Sequence, residues 1–343
     1  MPEDPPTLMR LLTPQLDGTS VLVVGQVIAL CAYLAGVRQL RRRGVPWPWH
    51  RTAAFCAGIL ALWLVTGTQV MGYSMMLFSI HMFQHMVLTI LSPMLIMLGA
   101  PLRLAMRTLP RQGRRVLPRR ILLRGLRSPT MKVVCHPVTT TVLFLISLYG
   151  VYLTPILDDL MASLAGNLVM ITFFFVSGLL AFGGAFALDP WPRSTSAPIR
   201  LLDIALPGPA EAFFAVVLMM ASRPLIRTFA NPPQDWGIDV MTDQLAAGNI
   251  VWGFGEFPTF IAVAIVFFQW VKSEERGTIR SDRIADDELA IYNAHLARMA
   301  ATSQPRPPAD TLRQTTEESS QAPPAQPTRS YTGPAERPRS PAT

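Results

Sequence analysis

The sequence predicts an all-α polytopic membrane protein, a seven-transmembrane-helix bundle with its N-terminus outside and its C-terminus in the cytoplasm. Three observations predict it. Half of the 343 residues are apolar and only 15% are charged, against about 25% in soluble domains. The apolar residues fall in long blocks, several exceeding the ~20 residues that cross a bilayer as a helix, and the blocks are continuous rather than alternating, which favours helices over a barrel. Finally, the basic residues behind the net charge of +8 lie between the blocks. Twenty-one Lys and Arg fall on one side of the predicted bundle, and three (Arg10, Arg223 and Arg227) on the other. That asymmetry sets the orientation, and it makes the positive charge topological rather than a nucleic-acid-binding surface.

The spans are read in order at about residues 19–37, 52–71, 76–99, 137–155, 163–187, 204–222 and 248–270. Before the first lies an external segment, 1–18, whose start (Met1-Pro2-Glu3-Asp4-Pro5-Pro6) lacks the basic run and small-residue cleavage site of a secretory signal, so the first block is expected to be retained as a span. The membrane domain covers 19–271. Its loop from Pro101 to Lys132 carries ten of the basic residues and is expected to face anionic lipid on the cytoplasmic side. Residues 272–301 read as a cytoplasmic amphipathic helical segment, with Ala285, Leu289, Tyr292, Leu296 and Met299 on one stripe. From Thr302 to Thr343, nine of 42 residues are Pro, and the segment is read as a disordered Pro-rich tail. Cys31, Cys56 and Cys135 have no C-x-x-C spacing and read as packing residues.

The sharpest chemical signal is Ile80-His81-Met82-Phe83-Gln84-His85-Met86 at the start of the third span. Two His four residues apart stack on one face of a helix, a spacing able to chelate one metal ion, and this helix enters from the outside. Imidazole suits Cu, Zn and Fe, while thioethers at Met75, Met76, Met82 and Met86 bias the choice toward Cu(I). The alternative role for the pair is hydrogen bonding across the bundle. A zinc protease would need Glu at position 82, where Met stands. Haem would need an axial ligand on its opposite face, and the remaining histidines, His50, His136 and His295, are expected at the cytoplasmic side.

Glu211 and Glu256 are carboxylates within apolar spans, each costing ~2.5–3.5 kcal/mol at the bilayer centre on insertion scales if unpaired. Both should face the bundle interior. Glu256 sits in Gly253-Phe254-Gly255-Glu256-Phe257-Pro258, where Pro258 is expected to weaken the helix. Asp243, just before the seventh span, reads either as a residue that draws a cation to the bundle mouth or as a helix cap. Asp158-Asp159 and Asp189-Pro190 read as turn or capping residues.

The run from His81 to Met86, followed by Ser92-Pro93-Met94-Leu95 and Leu98-Gly99-Ala100-Pro101, resembles the signature of the CtaG family of cytochrome c oxidase assembly factors, which are seven-helix membrane proteins. Asp243-Gln244 with Gly248, and Trp252-Gly253-Phe254-Gly255-Glu256-Phe257-Pro258, is similar to that family's last-helix motif. Gln269-Trp270 and the polar run through Arg283, with Asp287-Glu288-Leu289-Ala290-Ile291-Tyr292-Asn293 beyond it, is similar to the actinobacterial branch. The likeness covers roughly residues 15–300. It implies a bacterial plasma-membrane, multi-pass, non-enzymatic factor for haem–copper cytochrome c oxidase assembly that binds or delivers copper at the outer side.

The metal-site positions are His81, His85, Met82, Met86, Asp243 and Glu256; Gln244 is carried over with the family motif. In the family pattern further histidines stand in regions corresponding to Asn167 through Phe173 and to Glu211, where this chain has none. The implied partners are cytochrome c oxidase subunits and, if one is needed, a CopD-like copper-transport protein supplied by another chain. A copper transporter or permease, a haem protein, and a non-metal scaffold for oxidase assembly are the alternatives.

Overall fold

The structure is a computed structural model and describes residues 4–15, 20–110, 117–192 and 196–303. Beyond its first two residues, the tail expected to be disordered lies outside the described residues. Two compact units are present, Met1–Glu275 and Arg276–Thr343. In the second unit the described residues are helical, with Leu289, Tyr292, Leu296 and Met299 exposed.

The main helices are α1 (Ser20–Arg42), α2 (Trp49–Thr66), α3 (residues 78–98), α4 (Pro101–Thr108), α5 (Leu117–Arg127), α6 (Pro137–Gly150), α7 (Leu164–Phe186), α8 (Ala197–Met220) and α9 (Val240–Ser303). Among the described residues the only β pairing is an isolated bridge between Pro14 and Thr68. Five stretches are long and apolar enough to cross a membrane: Val21–Arg42, Phe78–Thr108, Leu164–Phe186, Ala197–Met220 and Val240–Glu275. The other two expected spans correspond to shorter or more polar helices: α2 opens on Trp49-His50-Arg51, and α6 ends at Gly150.

Local chemistry sets the boundaries. Gly44 at φ 72° follows the last turn of α1, in a conformation open to glycine at little cost. His136 caps α6 by accepting the Val138 N–H on Nδ1 at 3.2 Å, and Ser163 caps α7 by accepting the Gly166 N–H at 3.0 Å. In α3, Pro93 has no N–H to offer the Thr89 carbonyl, and the preceding turn, Val87–Leu91, opens to a π turn. A second π turn, Ile146–Gly150, closes α6. Pro258 does not interrupt α9, contrary to the weakening expected there.

The centre of the bundle is α3, with 67% of its apolar window buried against 22–44% in the other four candidate spans. α2 packs along its Ser92–Leu98 half, while α7 packs against both this half and the π turn. Gly178 of α7 makes that crossing possible, since a Cβ there would collide with the Thr89 carbonyl oxygen. α1 lies against α2 and α4. One end of this unit gathers the N-terminal segment and the connections after α2, α6 and α8: Tyr73 donates to the Asp4 carbonyl at 2.9 Å, and Asp158 accepts from Thr228. The opposite end holds α4 and its contacts with Arg43 and Asp189. By their content of Lys and Arg we refer to these as the charge-poor end and the basic end.

Candidate functional site

α3 starts at the charge-poor end, and its first turn is capped from another helix. The Asp243 carboxylate, on the first turn of α9, accepts the Phe78 N–H at 2.6 Å and the Ser79 N–H at 3.3 Å, and also accepts the Ser79 hydroxyl. These are donors that a helix N-terminus leaves without an intrahelical partner, and a carboxylate there also complements the helix dipole. Asp243 is therefore committed to α3. The cap of α9 itself comes from Asp239, which accepts the Thr242 N–H at 2.8 Å. Gln244 fixes the chain after α8, accepting the Leu225 N–H at 2.9 Å and donating to the Leu218 carbonyl at 3.2 Å.

One turn into α3 lies His81, 1% exposed, with Nδ1 3.1 Å from the Ser74 carbonyl oxygen. A carbonyl only accepts, so Nδ1 carries the proton and Nε2 presents a lone pair. Nε2 has no partner among the described residues. His85, also 1% exposed, places Nε2 3.5 Å from the Thr89 hydroxyl. That hydroxyl already donates to the His85 carbonyl at 2.7 Å. His85 Nδ1 likewise has no partner among the described residues. The two histidines thus bring two unpartnered ring nitrogens into one buried region.

Aromatic rings wall that region. Tyr152 stands edge-on to both imidazoles, at 5.7 Å from His81 and 5.4 Å from His85 between ring centroids. Phe229 covers His81 at 5.3 Å, and Phe174 meets His85 at 4.3 Å. The Tyr152 hydroxyl is buried and without a partner among the described residues. So is Asn167 Oδ1, on α7, whose amide nitrogen lies 3.2 Å from the Met75 sulfur. Unpaired buried polar atoms cost free energy, and the Tyr152 hydroxyl belongs to a ring of this wall.

The expected positions are not all brought together. Met82 and Met86 are fully buried in the core, one residue beyond each histidine. Glu256 is half-buried on α9, next in sequence to Gly255, where the Glu211 carboxylate occupies the space that a Cβ would need. Glu211 is 3% exposed, and its Oε2 has no partner among the described residues. Among the described residues no three His, Cys, Asp or Glu side chains form a ligand cluster. Sequence reasoning missed Tyr152 and Phe229, and named Asn167 only as the start of a region where the family pattern has a histidine. A tyrosine at the end of an apolar block reads as an interfacial residue, and the chain around Phe229 reads as a connection.

With this geometry in hand, the comparison with known proteins is specific. A family model described as cytochrome c oxidase caa3 assembly factor (Caa3_CtaG) matches residues 31–273. The chain belongs to the Caa3_CtaG family. The matched part of this family member contains both histidines, Tyr152, Asn167, Glu211, Asp243 and Glu256. It is 36% identical over 306 residues to uncharacterised proteins of Mycobacterium bovis and Mycobacterium tuberculosis, and 32% identical over 310 residues to one of Mycobacterium leprae. In each case the alignment covers 86% of this chain and 46% of the relative, so the chain spans about half the length of the curated relatives it matches. No solved structure matches this Caa3_CtaG chain.

Proposed function

We propose that this chain is a non-catalytic, multi-pass plasma-membrane factor that supports assembly of a haem–copper cytochrome c oxidase by holding copper at the charge-poor end, taken as the outer side. The single observation that carries the reading is the pair of buried imidazoles, His81 and His85, each with a ring nitrogen left without a partner among the described residues. Nitrogen donors beside buried thioethers suit Cu(I) better than a hard cation. Met82 and Met86 are buried on the adjoining face of the same helix, and Asp243 holds the first turn of α3 so that His81 keeps its place. Copper is cargo in this reading, to be passed to an oxidase subunit.

All seven expected spans cross the membrane, α2 and α6 among them, with the N-terminus outside. The basic end then faces the cytoplasm, and α5, exposing Arg120, Arg124 and Arg127 with Leu117 and Ile121, rests on anionic lipid. A CopD-like protein supplies copper where one is required.

Metal analysis of the purified protein tests the reading. The wild type is expected to carry copper, and His81→Ala/His85→Ala to lose at least nine-tenths of it while remaining in the membrane. Equal copper in both proteins overturns it. A second reading, copper permease, is favoured by the open Oε2 of buried Glu211 beside α9. It predicts copper uptake into vesicles that fails in Glu211→Gln, whereas an assembly factor moves no copper across the bilayer.

A further inference from the structure

We propose that Arg51, Arg103 and Arg107, gathered about Trp47 at the basic end, form a binding site for one phosphate group. The indole is a fixed platform. Trp47 is 5% exposed, its Nε1–H donates to the Tyr33 hydroxyl at 3.3 Å, and Tyr33 in turn donates to the Gly99 carbonyl at 2.8 Å and stacks on Phe55 at 3.9 Å between ring centroids. Two cations stand against this one ring. The guanidinium carbons of Arg51, on the first turn of α2, and of Arg107, on α4, lie 5.2 and 5.9 Å from its centroid, within the range of a cation–π contact. Arg103 stands one turn before Arg107 on α4 and shares its face, and Arg51 is close enough to both to feel their repulsion.

Among the described residues nothing balances that charge. None of the three guanidinium groups has an ion pair with a described residue or donates a hydrogen bond to one. The nearby carboxylate, Asp189, is spent on the Leu102 and Arg103 N–H groups. Arg43 differs from the three: it donates to the Arg107 and Thr108 carbonyls at the end of α4, a capping role that belongs to the fold. A guanidinium stacked on an aromatic ring uses its face, so its N–H edges stay open for an acceptor. Three such groups around one committed carboxylate call for an anion, and the fork of each matches two oxygens of a phosphate. Phosphate spreads its acceptors over a tetrahedron, so that forks arriving from α2 and from α4 can both engage it, whereas a carboxylate offers its two oxygens in one plane. A lipid head group and the free anion both carry this chemistry.

The test uses the full chain in dodecyl maltoside micelles, which bring no phosphate. Native mass spectrometry counts bound lipid as phosphatidylglycerol is titrated, and equilibrium dialysis follows labelled inorganic phosphate. One phosphate-bearing probe per chain is expected to bind more tightly than any further one. Arg51→Gln/Arg107→Gln should weaken that binding at least about 10-fold, as loss of a hydrogen bond to a charged group gives. Arg51→Lys/Arg107→Lys, which keeps both charges and loses the forks, should weaken it by less. Arg120→Gln/Arg124→Gln removes as much charge from α5 and should leave it unchanged. Equal affinity in the wild type and the Arg51/Arg107 glutamine pair overturns the site, as does an equal loss from the α5 pair, which would mark a diffuse attraction to basic residues. Binding of neither probe overturns it as well. Displacement of the lipid by millimolar inorganic phosphate assigns the site to the free anion, and retention of the lipid assigns it to the head group. Should the double variants unfold, Arg103→Gln alone repeats the measurement with the same direction of change.

Discussion

Two carboxylates at opposite ends of the bundle do the same local work with different consequences. Asp243, half-buried at the charge-poor end, caps α3 across the gap between helices. Asp189, 6% exposed at the basic end, caps α4 in the same way, accepting the Arg103 N–H at 2.7 Å and the Leu102 N–H at 3.2 Å. In sequence they look unlike: one precedes a span beside a family motif and reads as a candidate metal residue, the other sits before a proline and reads as a turn. The structure makes both of them caps acting from another part of the chain. What separates them is the cargo of the helix they hold, since α3 carries the histidines and α4 leads into the basic loop. Solvation separates them as well. Burial raises the pKa of Asp189 from its ordinary value, although the Arg103 and Leu102 N–H groups and nearby Arg103 and Arg51 oppose it.

The largest expected effect breaks the comparison at Asp243. Asp243→Ala leaves the Phe78 and Ser79 N–H groups without their acceptor and should cost about 1–3 kcal/mol in the unfolding free energy. It should also loosen the turn that positions His81, so copper retention falls with it. Asp243→Asn keeps an acceptor oxygen and should restore most of the stability. If thermal unfolding of Asp243→Ala matches the wild type, the cap contributes nothing and the carboxylate is free for another role.

At Asp189 the expected loss is smaller and its sign depends on pH. A carboxylate whose folded pKa lies above its unfolded value contributes stability below the unfolded value and loses it as pH rises through the folded one. Asp189→Asn, which cannot ionise, should therefore show a flatter stability profile than the wild type from about pH 4 upward, with copper content unchanged. Loss of copper in this variant would contradict the separation of the two ends. A profile parallel to the wild type would show that Asp189 ionises without penalty.

Much of this was legible in the sequence because the bilayer imposes one rule on every span: long apolar helices appear as long apolar blocks, and the structure is helical through them. The His81–His85 stack was legible too, since a four-residue spacing maps directly onto a helix face. Partners that approach from other spans were not. Nothing local marks Tyr152 as the residue that faces both imidazoles, or Asp243 as the cap of a helix 165 positions earlier. Nor does the sequence signal that α9 passes Pro258 without a break. Such features follow from which helices meet, and apolar blocks of similar composition carry little information about their neighbours.

The smallest effect concerns the wall that covers the histidines. Phe229 lies over His81 at 5.3 Å and over Phe78 at 5.1 Å, and its segment is held by Thr228 to Asp158 and by the Leu225 N–H to Gln244. Phe229→Leu keeps an apolar cover of smaller area, so unfolding should change by about 1 kcal/mol. Access should change more than stability: a ring that covers His81 at the charge-poor end limits how fast a soft ion reaches Nε2, and its loss should speed copper uptake and release together while leaving the equilibrium copper content near that of the wild type. Stopped-flow transfer to a Cu(I) chelator reads this directly. An unchanged release rate would mean that copper reaches the histidines by a route that Phe229 does not guard. The charge-poor end would then resemble the basic end, a set of caps and covers with no path through it.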